Sequence, residues 1–371
     1  MLFAVFALLG SCLYCLLAIA AALRHVCARG TRPIARAIPI SILKPLSGLD
    51  DGLEANLRSF FEQEYAGFEL LFAVRHAGDP AASVVHRLMR SYPHIDAQLI
   101  VTGEPPYPHP KVFSLQRMLD RAKYELIVMS DSDVRVARDF CRTLDVEFDN
   151  PRLGLLTCPY RAVPGTDIWS KLEAVGMNTD FHAGVFTALM LDGANFAVGP
   201  TIAARRPVLD AIGGIERVKD YLGWEDFMLG RLAAEHGFLV GFSSYVVDHH
   251  IGTQSWRRNF AHRLRWARTN RRSRPAGYAG QFFTHPLPLA AFACAVVPAV
   301  WPLALAAVLL RAILAWAVSG MALRTPVPWL LLPLQDFLGF GFWIAGFFGS
   351  SVRWRGQCYT LNRDGTVRLT P

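Results

Sequence analysis

Two carboxylates one residue apart, Asp131 and Asp133, follow the apolar run Leu126-Ile127-Val128-Met129. Hard oxygen ligands leaving the end of a buried strand suit Mg²⁺ or Mn²⁺ held against a diphosphate, because such ions keep several positions for phosphate oxygens and water. Asp-X-Asp is also ordinary turn chemistry. Downstream, Trp224-Glu225-Asp226 precedes the helical pattern Phe227 to His236. Carboxylates there either stabilise the helix start or present a base. His262-Arg263-Leu264-Arg265-Trp266 lies within His249 to Thr284, a stretch without any acid. Its eight arginines, at 257, 258, 263, 265, 268, 271, 272 and 274, equal the whole formal charge of +8. A basic, tryptophan-bearing helix of this kind suits the membrane interface, facing anionic headgroups or a phosphate.

These groups need a scaffold, and the region from Ile38 to Tyr278 alternates short β-rich runs with amphipathic stretches. Strands are predicted at Ile38 to Leu43, Glu69 to Val74, Asp96 to Val101 and Glu125 to Met129. Helices are predicted at Asp51 to Gln63, Ala81 to Arg90 and around Phe113 to Arg121. That order argues for a mostly parallel, helix-covered sheet, whose ligands bind beyond the carboxyl ends of the strands. The polar segments found there are Lys44-Pro45-Leu46-Ser47-Gly48, Arg75 to Pro80 and Ser130 to Asp133. The absence of G-x-G-x-x-G after the first strand and of G-x-x-x-x-G-K-[ST] anywhere argues against a dinucleotide dehydrogenase and a P-loop ATPase.

The 371 residues are 52% hydrophobic and only 18% charged, which excludes a disordered or coiled-coil chain and is too apolar for an ordinary soluble enzyme. Met1 to Leu23 carries no charge and spans roughly 33 Å as a helix, enough for one bilayer crossing. No basic residue precedes that run and Arg24, Arg29, Arg32 and Arg36 follow it, so an anchor with the next domain in the cytoplasm is favoured over a cleaved signal peptide. At the other end, Pro286 to Leu310 is uncharged, Ala312 to Leu323 is too short to cross alone, and Val327 to Gly349 is long enough. Arg353, Arg355, Arg363 and Arg368 then mark a cytoplasmic tail, which requires an even number of crossings and predicts two, kinked or broken at Pro298, Pro302 and Pro333. Asp336 at membrane depth is either a proton or substrate group or a protonated or snorkelling helix-end residue. Seven scattered cysteines point to a reduced compartment, and His249-His250 reads as an ordinary strand-end or loop pair. The expected division is an anchor at 1–24, a catalytic domain at 38–280 with an interfacial helix at 255–274, a membrane region at 286–350 and a tail at 351–371.

Over Ile38 to Gly280 the chain resembles the membrane-bound, family 2-like glycosyltransferases of GT-A fold, and within them the ceramide glucosyltransferase family, family 21. The carriers are Lys44 to Gly48, Asp79-Pro80, Pro110-Lys111, Asp131 to Val136, Glu225-Asp226 and Arg265-Trp266, in the family order. His262 departs from the family's usual Gln or Arg three residues before Arg-Trp, and Asp133 makes the chain similar to bacterial members. The resemblance implies an α/β nucleotide-diphospho-sugar transferase fold with transmembrane helices at both ends, in a bacterial inner membrane with its catalytic domain cytoplasmic. It implies inverting transfer of a sugar from a UDP-sugar to a lipid hydroxyl, with Mg²⁺ or Mn²⁺ as cofactor.

In that scheme Asp226 is the base, and Asp131 and Asp133 hold the metal and ribose-diphosphate. Arg265 and Trp266 clamp the leaving group, Asp79 meets the uracil-ribose end, and Lys44 and Lys111 lie near the nucleotide. His182, within Asn178-Thr179-Asp180-Phe181-His182, falls either near the acceptor or in an ordinary core. A hopanoid N-acetylglucosaminyltransferase of the same family is the alternative. A processive polysaccharide synthase calls for more crossings, and a non-catalytic lipid-binding protein needs no base and metal pair together. Nucleic acid is not expected as a partner, because the arginine run abuts membrane segments and lacks interleaved aromatics beyond Trp256 and Trp266.

Overall fold

The computed structural model describes residues 1–28, 37–221, 223–354, 357–362 and 366–369. Arg29, Arg32, Arg36, Arg355 and Arg363, used above to orient the chain, lie outside the described residues. The described residues form two compact units that interleave along the sequence. One comprises Thr31–Val163 and Ala194–Gly252, the other Met1–Gly30, Pro164–Gly193 and Thr253–Pro371.

The first unit is built on strands β1 Ile40–Pro45, β2 Phe68–Val74, β3 Asp96–Val101, β4 Leu126–Ser130, β5 Val134–Arg135, β6 Leu153–Thr157, β7 Tyr160–Pro164, β8 Thr201–Arg205, β9 Leu239–Phe242 and β10 Val247–Gly252. Seven of them make a sheet in the order β3-β2-β1-β4-β8-β6-β9. β1, β2, β3 and β4 pair in parallel, while β8 is antiparallel to both β4 and β6. β1 and β2 are buried almost throughout, the pattern of strands covered on both faces, whereas β3 at the edge is half-exposed. Glu69 inside β2 is fully buried; its Oε1 accepts from Ser41 Oγ at 2.6 Å and from the Lys123 amide at 2.6 Å, and Lys123 Nζ stands 3.7 Å from its Oε2. A small sheet in the order β5-β10-β7 lies beside this arrangement.

Helix starts follow local capping chemistry. Asp79 caps Pro80–Ser91 by accepting the Ala81 amide at 2.9 Å, and His109 caps Pro110–Leu119; each cap precedes a proline, whose missing amide costs nothing in the first turn. Pro110–Leu119 and Glu225–Glu235 both contribute to one core of Leu43, Leu71, Val112, Leu115, Met118, Met129, Ile202 and Leu229. That packing aims their N-termini, Lys111 and Glu225-Asp226, at the carboxyl ends of β1 and β4. Gly230 makes the approach possible: a Cβ there would sit 2.2 Å from the Ala197 amide nitrogen.

The second unit contains Leu2–Cys27 and Pro298–Ala322, the two helices among the described residues that are long and apolar enough to cross a membrane, with Pro286–Val296 a shorter apolar helix. The uncharged run Pro286 to Leu310 is broken at Pro298, one of the three prolines expected to kink or break the helices. Its first helix stops at Val296, and Pro298 opens a second that continues through Arg311, joining the segment judged too short to cross alone. Arg311 is tolerated there because it is paired: its Nε donates to Asp336 Oδ2 at 2.8 Å and its Nη2 to Asp336 Oδ1 at 2.7 Å. Asp336 is therefore the buried partner of Arg311. The Ile168–Asp192 region is helical with five residues, Met177–Phe181, in wider π turns. The described residues of the tail form a three-stranded antiparallel sheet of Ser351–Trp354, Gln357–Leu361 and Val367–Leu369.

Candidate active site

In the first unit the ends of β1 and β4 and the starts of two helices converge on one ammonium. Lys111 Nζ lies 2.9 Å from Asp131 Oδ1, 3.3 Å from Glu225 Oε1 and 3.8 Å from Asp226 Oδ1. Burial opposes the charge on Lys111, but Asp131, Asp226 and Glu225 together hold its pKa well above the ordinary lysine value. A recess of about 10 Å³ lies between Lys111, Asp131, Pro200, Glu225 and Asp226, room for roughly one water.

The two adjacent carboxylates at the helix start are driven apart. Burial would raise Glu225, yet Lys111 and His109 hold it below the usual carboxylate range, and its Oε2 accepts the Gly223 amide at 2.8 Å. Burial pushes Asp226 up to about 7, and the neighbouring Glu225 and Asp131 add to the rise while Lys111 works against it. Asp226 keeps 24% of its side-chain exposure, so the group is recessed and still reachable. A Cβ on Gly199 would fall 2.2 Å from Asp226 Oδ2, so glycine is what lets the backbone pass this carboxyl. Pairs of acids whose environments separate their proton affinities are a recurrent arrangement for acid and base work.

Asp133 stands on the other side of the turn. Its Oδ2 receives a hydrogen bond from His249 Nε2 at 3.1 Å, and its Oδ1 is buried with no hydrogen-bond partner among the described residues. Burial raises its pKa, but His249, Lys44 and Lys111 outweigh that and hold it below the ordinary value. A buried anionic oxygen without a partner, steered by a histidine, is suited to a cation. Among the described residues no three His, Cys, Asp or Glu side chains assemble as a metal set, so an ion here would be held by Asp131 and Asp133 with its other positions open.

Lys44 is fully buried in β1, its Nζ donating to the Asp131 carbonyl at 2.5 Å and to Ser130 Oγ at 3.3 Å and standing 3.9 Å from the centre of the Phe60 ring. Burial pushes it down to about 7 against the pull of Asp131, Asp133 and Asp50. It fixes the turn that carries Asp131 and has no exposed surface for a nucleotide. Asp79 accepts the Gly48 amide at 3.1 Å on both oxygens, tying the Lys44 to Gly48 loop to the helix it caps.

Arg265, Trp266 and His182 belong to the second unit. Trp266 packs on His262 at 5.1 Å and on Phe181 at 6.1 Å between ring centroids. His262 Nδ1 is 2.6 Å from Glu173 Oε1, and Asn259 donates to Glu173 Oε2 at 2.6 Å. His182 is fully buried, with Nδ1 2.8 Å from the Met177 carbonyl, which leaves it without a surface for an acceptor. The basic helix Trp256–Ser273 does not present all its charge outward. Arg268 donates to the Phe348 carbonyl at 3.0 Å and the Ser351 carbonyl at 2.6 Å, and Arg271 donates to the Phe347 and Gly349 carbonyls, the unpaired C-terminal end of helix Leu332–Gly346.

His249 and His109 were not singled out as site residues by sequence reasoning. His249 carried no ligand spacing, and its role depends on β10 pairing with β5 so that His249 stands opposite Val134, next to Asp133. His109 had a visible signal, its place before a helix-opening proline.

Comparison with known proteins places these observations in one group. Residues 3–367 match the family described as Glycosyl transferase family 21. Ceramide glucosyltransferase 3 of Caenorhabditis elegans is 32% identical over 211 residues, covering 56% of this chain and 45% of that protein. Ceramide glucosyltransferase 1 of the same organism is 28% identical over 208 residues, covering 56% and 44%. The chain thus spans less than half the length of these curated relatives. A solved structure of the mannosyltransferase PcManGT from Pyrobaculum calidifontis, in complex with GDP-Man and Mn²⁺, aligns with TM-score 0.56 at 18% identity over 93% of this chain and 96% of that one. The shared fold is that of GT-A glycosyltransferases.

Proposed function

We propose, from the premise that this chain belongs to glycosyl transferase family 21, that it is an inverting glycosyltransferase moving a sugar from a UDP-sugar to the hydroxyl of a membrane lipid, in the manner of a ceramide glucosyltransferase. The observation that carries the reading is the single recess in which Lys111 bridges Asp131 and Asp226 while Asp226 is pushed up to about 7. A carboxylate with that proton affinity takes a proton from an attacking hydroxyl near neutral pH, as general-base catalysis requires.

Asp226 Oδ removes the acceptor proton as the hydroxyl oxygen forms its bond to the anomeric carbon and the bond to the diphosphate breaks. Lys111 keeps Asp131 and Glu225 charge-balanced, which leaves Asp226 as the member of the acid group able to hold the proton. His249 holds Asp133 through Oδ2, so that Oδ1 would be the oxygen available to a cation. Asp131 and Asp133 would hold Mg²⁺ or Mn²⁺, which when bound supplies electrostatic stabilisation of the departing diphosphate. Asp79, beside Gly48, meets the base and ribose. The lipid acceptor places the enzyme in a bilayer through Leu2–Cys27 and Pro298–Ala322, and the exposure of Phe3, Phe6, Leu9, Leu13, Leu305 and Leu309 on these helices supports it. Cytoplasmic nucleotide sugar puts the first unit on the inner face.

Purified protein in detergent, incubated with UDP-glucose, UDP-galactose and UDP-N-acetylglucosamine against ceramide, diacylglycerol and a hopanoid polyol, tests the reading. Mass spectrometry should show one glycosylated lipid. No lipid product from any combination would overturn it.

A further inference from the structure

His109 takes no part in the proton transfer, yet it is buried beside the acids of the recess and opens helix Pro110–Leu119, the helix that carries Lys111. Its ring has two tasks. Nδ1 accepts the Val112 amide at 3.5 Å and so caps the helix, and a ring nitrogen that accepts an amide carries no proton. The proton therefore sits on Nε2, which stands 3.5 Å from Glu225 Oε2. That same oxygen takes the Gly223 amide at 2.8 Å, while Glu225 Oε1 lies 3.3 Å from Lys111 Nζ. His109 and Lys111, from the start of one helix, thus grip Glu225 by its two carboxylate oxygens. Glu225 is the first residue of helix Glu225–Glu235 and Asp226 the second. Asp226 is held more loosely: its 3.8 Å approach to Lys111 is the longest of the three carboxylate contacts. Where its carboxyl points depends on the helix start that Glu225 anchors.

We propose that His109 is a positioning residue for the transfer: its Nε2–H holds Glu225, and Glu225 in turn sets the helix start so that the Asp226 carboxyl meets the acceptor hydroxyl. The inference rests on the reading of Asp226 as the base. His109, Lys111, Glu225 and Asp226 all belong to the first unit. A base displaced by a fraction of an ångström loses rate without loosening the substrates, because alignment counts in the transition state and not in the bound ground state. Without the Nε2 donor the Oε2 side of Glu225 relaxes, and the turn from Gly223 to Asp226 relaxes with it.

The two ring nitrogens can be tested apart. His109→Ser keeps a helix-capping oxygen and removes the donor to Glu225, whereas His109→Gln puts an amide N–H near the Nε2 position and gives up the better cap. The full chain in detergent micelles is assayed with UDP-glucose, UDP-galactose and UDP-N-acetylglucosamine against ceramide, diacylglycerol and a hopanoid polyol, and kinetics are taken on the pair that yields product. His109→Ser should lower kcat about 10-fold, with both KM values within about 2-fold and the thermal midpoint close to that of the wild type. His109→Gln should split the other way, with a lowered thermal midpoint and kcat within about 3-fold of the wild type. A kcat that follows the thermal midpoint across the two variants would show a capping residue alone and overturn the inference, as would wild-type kcat in the serine variant. Wild-type protein that glycosylates no lipid removes the transferase reading and this inference together, whereas wild-type transfer with an unimpaired serine variant removes the inference alone.

Discussion

The two units each gather carboxylates around one buried cation, and they use different cations. In the first, Lys111 faces Asp131, Glu225 and Asp226 from 2.9 to 3.8 Å, and no carboxylate holds it bidentately. In the second, the Arg311 fork is locked on Asp336 by two nitrogens. An ammonium is a point charge that can be shared and redistributed, while a planar guanidinium fixes geometry. The lysine cluster therefore has a member whose proton affinity is raised toward neutral, and the arginine cluster ties helices together. Chemistry follows the looser arrangement, positioning the tighter one.

The sharpest way to break that contrast is to remove the movable proton. Asp226→Asn should lower turnover by about 10²- to 10⁴-fold while UDP-sugar affinity by calorimetry stays within a few fold. Wild-type kcat/KM should climb with pH and level off above about 7, where Asp226 has lost its proton, and the residual rate of the variant should lack that limb. Stability gives an independent sign. The folded protein keeps a proton on Asp226 from its ordinary 3.8 up to about 7, so this group's contribution is present at low pH and lost as pH rises through about 7. Asp226→Asn should accordingly gain on the metal-free wild type in thermal midpoint at pH 8 relative to pH 5. Near-normal product formation by the variant would take Asp226 out of the mechanism and leave Glu225 in its place.

Next in size is the cation proposed for Asp131 and Asp133. Asp133→Ala, and EDTA on the wild type, should each cut turnover by about 10²-fold, since stabilising a departing diphosphate is worth several kcal/mol. Metal-dependent quenching of intrinsic fluorescence by Mn²⁺ should disappear in the variant. Full activity in EDTA would make Lys111 the sole counter-charge and erase the difference between the clusters.

What sequence could reach follows from the same contrast. β1, β2 and β4 were legible as mainly apolar runs ended by polar residues, Asp131, Asp133 and Asp226 stood out at a strand end or a helix start, and Lys111 was reached through the family resemblance. Periodicity reports local environment, so it could find a residue's element and not its partner. The pairing of Asp133 with His249 depends on strands more than a hundred residues apart, and β8 enters antiparallel between β4 and β6 without altering its own pattern. One boundary of the second apolar helix was missed for a related reason. Arg311 was taken as an end because a charge closes a hydropathy run, whereas its cost is offset by Asp336, 25 residues away. Arg268 and Arg271 counted toward a phosphate-facing stripe for as long as the helix end that absorbs them was invisible.

The arginine cluster can be sharpened with a swap that keeps charge and removes shape. Arg311→Lys should lower stability in detergent by about 1.5–3 kcal/mol, the loss of a charge-assisted hydrogen bond, because one ammonium cannot reproduce the fork on Asp336. Lys111→Arg, at a site 19% exposed and without a bidentate partner, should cost less than that on the same thermal scale. Equal losses would mean that both cations act as plain counter-charges.

The smallest effect is expected where the chain departs from its relatives' usual residue. His262 stands in place of the usual Gln or Arg, and its Nδ1 is engaged by Glu173 Oε1 at 2.6 Å, with Asn259 holding the other carboxylate oxygen. Its ring also packs on Trp266 at 5.1 Å. In this geometry the histidine orients Trp266 and is not the group that touches the nucleotide. A glutamine amide can donate to Glu173 in the same way and gives up only part of the ring contact. His262→Gln should therefore cost about 1 kcal/mol or less in stability and change UDP affinity by less than about 3-fold. Calorimetry with UDP on both proteins decides it. A tenfold gain in UDP affinity would mean that the glutamine reaches the pyrophosphate, so that this position belongs to the donor site and the second unit does more than position.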